Sequence, residues 1–375
     1  MASTRWLLVL MLWLLPWLQM VKSGFSVQRF KTAKAWDSPV VIPKDGVYLV
    51  SVIADPCNGC SLSLQVYCRC EGKETFVVQA TAKDIVSHAE VAVALRINDR
   101  LYVKKGPVKV EAGSSLSVVY VAKLNSFYIT AKSGVSSSRS PIAYTCKHTP
   151  NGWSRLKDAD KRTTFNLPRT GMYWVTANIH PCSGPITGTV QIGSKSLFNI
   201  YAEKVKAVTN SGAFRFTAGS TVLLYTRAGD ACYEADTLLS VVYLVANEKA
   251  NTYPFEHLAF TARTENKHTF SSKQVIDFQY VMTNYGYMYV NRYTEIRRTG
   301  SYMVALRPDP ESASIVATIL YINERPYWAG FAQQGVPAGG TISLNLQVGT
   351  YLRVVSFTNS LYGTGTMFST AFIQP

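Results

Sequence analysis

Four of the seven cysteines crowd into one stretch, where Cys57, Cys60, Cys68 and Cys70 read as C-x2-C followed by C-x-C. Four thiolates so spaced can hold a tetrahedral zinc ion. In an oxidising compartment the same four make two disulfides, with the pairing open. The five histidines, His88, His148, His180, His257 and His268, stand apart, and none belongs to a His-Glu-x-x-His metal site. There is no Gly-x-Ser-x-Gly elbow, phosphate loop or dinucleotide fingerprint. The glycine-rich stretch Tyr362–Thr366 lacks the lysine of a phosphate cradle and reads as a turn. No residue can be assigned a catalytic role, and the expectation is a protein that is not an enzyme.

The choice between zinc and disulfides turns on compartment. Arg5 precedes an apolar run from Trp6 to Leu18, Pro16 disturbs its end, and Val21 and Ser23 offer a small-residue cleavage point before Gly24. That is the pattern of a signal peptide over residues 1–23, and the run is short for a membrane span. A secreted, extracellular product is expected, and disulfides are favoured over zinc. No Asn-x-Ser/Thr acceptor occurs. The formal net charge is +15, and the excess is spread mainly over residues 24–247 without a long basic run. A field of that sign favours polyanions such as sulfated glycans, anionic lipids or acidic proteins. The secretory route disfavours nucleic acid. Solubility alone would account for the charge equally well.

The elements that must carry these residues form a repeat. GVYLVSVIADP (Gly46–Pro56), GMYWVTANIHP (Gly171–Pro181) and GSYMVALRPDP (Gly300–Pro310) each set Tyr at +2, Val at +4 and Pro at +10 from a glycine. Tyr and Val two apart share one face of a strand. A second block, beginning at Ser117, Ser240 and Ser369, follows the three glycines by 71, 69 and 69 residues. An opening strand is read in each copy, with its aromatic at Phe25, Tyr144 or Phe260. Stretches rich in small polar residues, Pro and charge separate the copies. The resulting domains are 24–132, 142–247 and 257–375, with linkers 133–141 and 248–256. Short strands of period two without helical patterns indicate all-β sandwiches. The third copy looks complete; the first two look trimmed by a hairpin.

In this register the chain resembles the globular-head domain of complement component 1q and its relatives, a jelly roll shared with the tumour necrosis factors. LAFTART (Leu258–Thr264) is similar to that family's opening strand, and MFSTAFIQP (Met367–Pro375) to its closing strand. The signature Phe, five residues, Gly-x-Tyr is best kept in the second copy as Phe165, Gly171 and Tyr173. The first copy keeps Gly46 and Tyr48 with Val40 at the Phe position. The third keeps Gly300 and Tyr302 with Thr294 there, and Asn284 and Tyr289 stand for the upstream Asn and aromatic. The resemblance implies three tandem jelly-roll β-sandwich domains. Such domains trimerise, so three copies in one chain imply an intramolecular pseudo-trimer or, failing that, a homo-oligomer.

The resemblance also places the remaining candidates. The strands carrying Cys182 and Cys232 would lie side by side, so these two are expected to pair, and Cys146 is left as a buried thiol at the position of Ala262. Tyr285, Tyr287 and Tyr289 have period two and are read as three rings on one strand face, either contacting a sugar or partner or filling the core. The basic pairs Lys104–Lys105, Lys161–Arg162 and Arg297–Arg298 are candidates for an anionic ligand, or else solvated loops. Asp309 and Glu311 are candidate Ca2+ ligands, two carboxylates where a full site needs more; no other cofactor is implied. The leading reading is a recognition protein binding an extracellular glycan, anionic surface or protein ligand. A matrix or coat component and a cytokine-like receptor ligand are the alternatives. Mass spectrometry of a non-reduced digest is expected to recover Cys182 and Cys232 in one linked peptide pair; two free thiols would overturn the assignment.

Overall fold

The computed structural model describes residues 26–30, 38–56, 59–70, 72–83, 87–105, 114–123, 128–133, 141–149, 152–155, 163–182, 184–202, 207–227, 237–244, 258–264, 268–285, 288–290, 292–309, 315–333, 339–358, 360–362 and 365–374. Among these, all regular structure is strand, and no helix is long and apolar enough to cross a membrane. The chain forms three tandem jelly-roll sandwiches, each an antiparallel inner sheet packed on an antiparallel outer sheet. Each inner sheet is built around a glycine strand: Gly46–Ala54, Gly171–Ile179 or Gly300–Arg307. On one side it pairs with a closing strand, Ser115–Ala122, Leu238–Tyr243 or Met367–Gln374. On the other it pairs with a strand that ends the sheet, here called the rim strand: Ser87–Leu95, Val208–Phe216 or Gly340–Leu346.

The repeated Tyr and Val point into the sandwiches, as period two requires. Tyr48, Tyr173 and Tyr302 are fully buried, and each hydroxyl donates to the carbonyl four residues earlier, Lys44 O at 2.7 Å, Arg169 O at 2.6 Å and Arg298 O at 2.5 Å. Each ring also meets an aromatic of its closing strand nearly edge-on, Tyr120 at 5.5 Å, Tyr243 at 5.1 Å and Phe372 at 5.3 Å. This packing explains the glycine two residues before. A Cβ on Gly46 would lie 2.3 Å from the Tyr120 ring, and one on Gly171 2.5 Å from that of Tyr243. The signature Phe position is likewise constant in place: Val40, Phe165 and Thr294 are buried and pair with Leu101, Val222 and Leu352.

The opening strands depart from the sequence reading. In the third repeat Ala259–Arg263 pairs with the closing strand so that Thr261 faces Ser369. Its counterpart in the second repeat is Tyr128–Ser133, with Thr130 opposite Ser240, and not the segment containing Tyr144 and Cys146. Tyr144–Thr149 pairs with the far edge of Tyr128–Ser133, as Tyr280–Tyr285 pairs with Ala259–Arg263. Cys146 therefore does not stand in place of Ala262; Ala131 does. A boundary at 132 also cuts the second repeat's first strand. In the first repeat Ser26–Phe30 puts Val27 opposite Val118, and Phe25 lies outside the described residues.

The outward faces of the inner sheets also carry buried apolar residues, beside polar and charged ones. Leu49, Trp174 and Met303 hold one equivalent position on the glycine strands, and Val119, Val242 and Ala371 another on the closing strands. All six belong to a single buried cluster shared by the three repeats. The rim strand of the first repeat packs against the inner sheet of the second, that of the second against the third, and that of the third against the first. Three head-to-tail contacts thus return to their starting point.

Where the rim strands meet, equivalent residues converge. Glu90, Ser211 and Thr341 pair with Ser51, Thr176 and Ala305 of their own glycine strands. The Glu90 carboxylate accepts from the Thr176 hydroxyl at 2.7 Å and from Trp174 Nε1 at 3.4 Å, and the Ser211 and Thr341 hydroxyls, 3.3 Å apart, also favour its charged form. Burial outweighs these donors and pushes the carboxyl above its ordinary range. A raised acid adds stability that is fully present below its unfolded value and is lost as pH rises through the folded one. Replacement Glu90→Gln keeps the shape but removes that dependence, so urea midpoints of the variant and wild type should move toward each other, or cross, between pH 4 and pH 8. Glu90→Ala strands the four donors and opens a cavity, with an expected cost of about 2–4 kcal/mol at either pH.

Candidate recognition faces

The outer sheet of the first repeat runs Val40–Val41, Arg100–Lys105, Ser61–Cys70, Lys73–Lys83. Along Ser61–Cys70 the alternation is nearly strict: Leu62, Leu64, Val66 and Cys68 are buried, while Ser63, Gln65 and Tyr67 are half-buried and Arg69 is exposed. The outward residues form one ladder. Tyr67 stands opposite Phe76 on one side and Tyr102 on the other, with ring centroids 5.7 Å and 6.0 Å away. Lys104 Nζ lies 4.2 Å from the Tyr67 ring centroid and pairs with Glu74. Their mutual hydrogen bond holds Glu74 below its ordinary range and Lys104 above its own. Beyond the rings, Tyr67 donates to Gln65 at 3.1 Å, Gln65 to Gln79 at 2.9 Å and Gln79 to Thr81 at 2.6 Å.

At the other end of the ladder Arg69 stands between Glu74 on one neighbouring strand and Arg100 on the other. Arg69 stands directly opposite Arg100, both exposed. Like charges opposed across two strands destabilise the sheet, so this pair is a cost that an anion would relieve. The third repeat has a related face on the counterpart strands. Tyr321 is opposite Arg353, whose guanidinium lies 5.0 Å from the Tyr321 ring and 5.7 Å from that of Tyr293. Arg353 also donates to the Tyr293 hydroxyl at 3.2 Å and pairs with Glu324, while Tyr351 meets Tyr293 edge-on. In the second repeat the equivalent pair is Gln191 and Leu223, with neither ring nor charge. Rings held by their neighbours present apolar area at small entropic cost, and cations beside them can meet an acidic group.

The structure distributes the sequence candidates unevenly. Lys104 belongs to the ladder; Lys105, the next residue, is exposed at the strand end. Arg297 pairs with Glu295 at 3.0 Å, and Arg298 lies over the Phe372 ring at 4.6 Å, so neither shares a face with Lys104. Lys161, Arg162, Tyr287, Glu311, Cys57 and Cys232 lie outside the described residues. The tyrosine stripe does not occupy one strand: Tyr285 ends a strand of the inner sheet, and Tyr289 sits in Met288–Val290 of the outer sheet. Asp309 accepts from Gly365 N at 2.8 Å and so anchors the turn before the closing strand.

Cys68 and Cys70 are disulfide-bonded to each other, with Cα atoms 5.4 Å apart. The Asp99 carboxylate approaches the two sulfurs within 4.8 Å, but sulfurs joined to one another are not the thiolates a zinc site requires. Cys60 and Cys182 are disulfide-bonded as well. Tyr67, Phe76, Tyr102, Arg69 and Arg100 were not singled out by the sequence, although Tyr67 and Arg69 fall on the outward phase of a strand whose apolar phase is plain.

No family model matches the sequence, and no curated protein matches it. Among solved structures, rabbit GITRL matches at 16% identity and a TM-score of 0.23, over 32% of this chain and 97% of its own. An Eiger TNF from S. frugiperda matches at 13% and 0.25, over 34% and 99%. PNGF-II matches at 9% and 0.29, over 84% and 99%. Likenesses this distant carry no functional argument; the sandwich architecture rests on the strand pairing described above.

Proposed function

We propose that this chain is a secreted, non-enzymatic recognition protein that binds acidic or sulfated glycans through the outer faces of its first and third repeats. The observation that carries the reading is the opposition of Arg69 and Arg100 at the end of the Tyr67–Tyr102–Lys104 ladder. Rings offer apolar platforms to sugar faces, and the exposed guanidinium pair, with Glu74 beside Arg69, offers bidentate contacts to sulfate or carboxylate. The reading includes secretion, motivated by Arg5 and the Trp6–Leu18 run, and kinship with the complement component 1q-like domains, motivated by the signature residues. It also includes the pseudo-trimer: one chain takes the place of three subunits, with its inner faces consumed by ring closure and its outer faces left for ligand. Two related faces on one rigid particle would raise avidity without a strong single site.

Binding of a sulfated polysaccharide, followed by calorimetry at several salt concentrations, tests the site. Arg100→Gln is expected to weaken binding at least tenfold and reduce its salt dependence, while raising stability by roughly 0.2–0.5 kcal/mol through relief of like-charge opposition. Unchanged binding in Arg100→Gln and in a Tyr67→Ala companion would overturn the assignment. Light scattering is expected to return the mass of one chain per particle; a mass of three chains would refute the intramolecular arrangement.

A further inference from the structure

The convergence of the rim strands leaves a small chamber beside Glu90. It has a volume of about 10 Å³, and its lining includes His88 of the first repeat, Thr209 and Asn210 of the second, and Arg307, Gly339 and Met367 of the third. A space of this size holds one water-sized particle. His88 and Thr209 pair with position seven after their glycines; the corresponding place in the third repeat is Gly339, where a Cβ would lie 2.2 Å from Leu306 O.

The chamber is largely apolar, and its charged member is Arg307. Arg307 is 5% exposed, its Nη1 donates to Asn199 O at 2.7 Å, and its Nε–H has no partner. Burial, opposed by the nearby Asp309 charge, brings its pKa down to about 10, which still leaves a full charge at neutral pH. His88 is 3% exposed; its Nε2 lies 2.9 Å from the Ser51 hydroxyl, and its Nδ1 has no partner. Burial, with the Arg307 charge adding to it, lowers His88 to about 3, so the ring is neutral. If Ser51 donates to Nε2, Nδ1 carries the proton. Two unmet N–H groups then belong to residues lining one hole, one of them on a buried guanidinium that the nearby Asp309 carboxylate attracts without pairing to it.

We infer that this chamber is a binding site for one monatomic halide, chloride being the natural occupant, held between Arg307 and His88. The anion accepts both orphan protons and adds to the partial charge balance that Asp309 provides. Because the lining comes from all three repeats, the site exists only in the closed ring, so halide binding and ring closure stabilise each other.

Crystals grown in bromide are expected to show an anomalous scattering peak between Arg307 and His88. In solution, the thermal midpoint should rise with chloride or bromide against gluconate at fixed ionic strength. Arg307→Gln should shift the halide dependence at least tenfold to higher concentration, and His88→Gln, which retains a donor, should shift it less. A water without anomalous signal at the site, or identical midpoints in chloride and gluconate, would overturn the inference even if Arg307→Gln fails to fold.

Discussion

Each inner sheet ends in a rim strand whose free edge must find hydrogen-bond partners away from its own sandwich, and the rest of the molecule follows from how it does so. An unpaired edge in a soluble protein invites pairing with another chain. Here the neighbouring repeat meets it with hydroxyls. Ala92 N approaches Ser240 Oγ at 3.2 Å, and Thr130 donates to Ala92 O at 2.6 Å. At the next seam Ala213 N approaches Ser369 Oγ at 3.1 Å, and Thr261 donates to Ala213 O at 2.8 Å. The small residue on the rim strand lets the backbone come close enough for this exchange. The Thr–Ser pairs are themselves bonded, at 2.8 Å and 2.7 Å.

The third seam is built differently. The rim position equivalent to Ala92 and Ala213 is Ser343, and the position of Thr130 and Thr261 is Gln28. Ser117, the counterpart of Ser240 and Ser369, is buried with its hydroxyl unpartnered. This is the junction between the last repeat and the first. In a trimer of identical subunits all three seams would be alike. A single chain frees each seam to diverge, and the same freedom places Glu90, Ser211 and Thr341 at one convergence and His88, Thr209 and Gly339 at the next.

That divergence also explains the unequal outer faces. Ring closure draws on the inner sheets, so outer-sheet residues are released from packing except on their inward phase. Tyr67 and Tyr102 in the first repeat, Gln191 and Leu223 in the second, and Tyr321 and Arg353 in the third occupy one backbone position with three chemistries. The residues just beside them, buried Cys68 with Leu101 and half-buried Ile322 with buried Leu352, are apolar.

Repetition, strand content and the inward role of Tyr48, Tyr173 and Tyr302 were determined by the sequence itself, because they depend on local period and on spacings that the sandwich cannot change. The opening strand of the second repeat was legible too, as Ile129-Thr130-Ala131 against Phe260-Thr261-Ala262, but Tyr144 offered a more conspicuous aromatic in a region of varying length. The seams, the buried Glu90 and the Arg307–His88 chamber belong to the tertiary structure alone. Glu90, Ser211 and Thr341 span 251 residues of chain and share no residue type. An acid, a serine and a threonine acquire a common role only when three rim strands bring them to one point, and no spacing along the chain records that meeting.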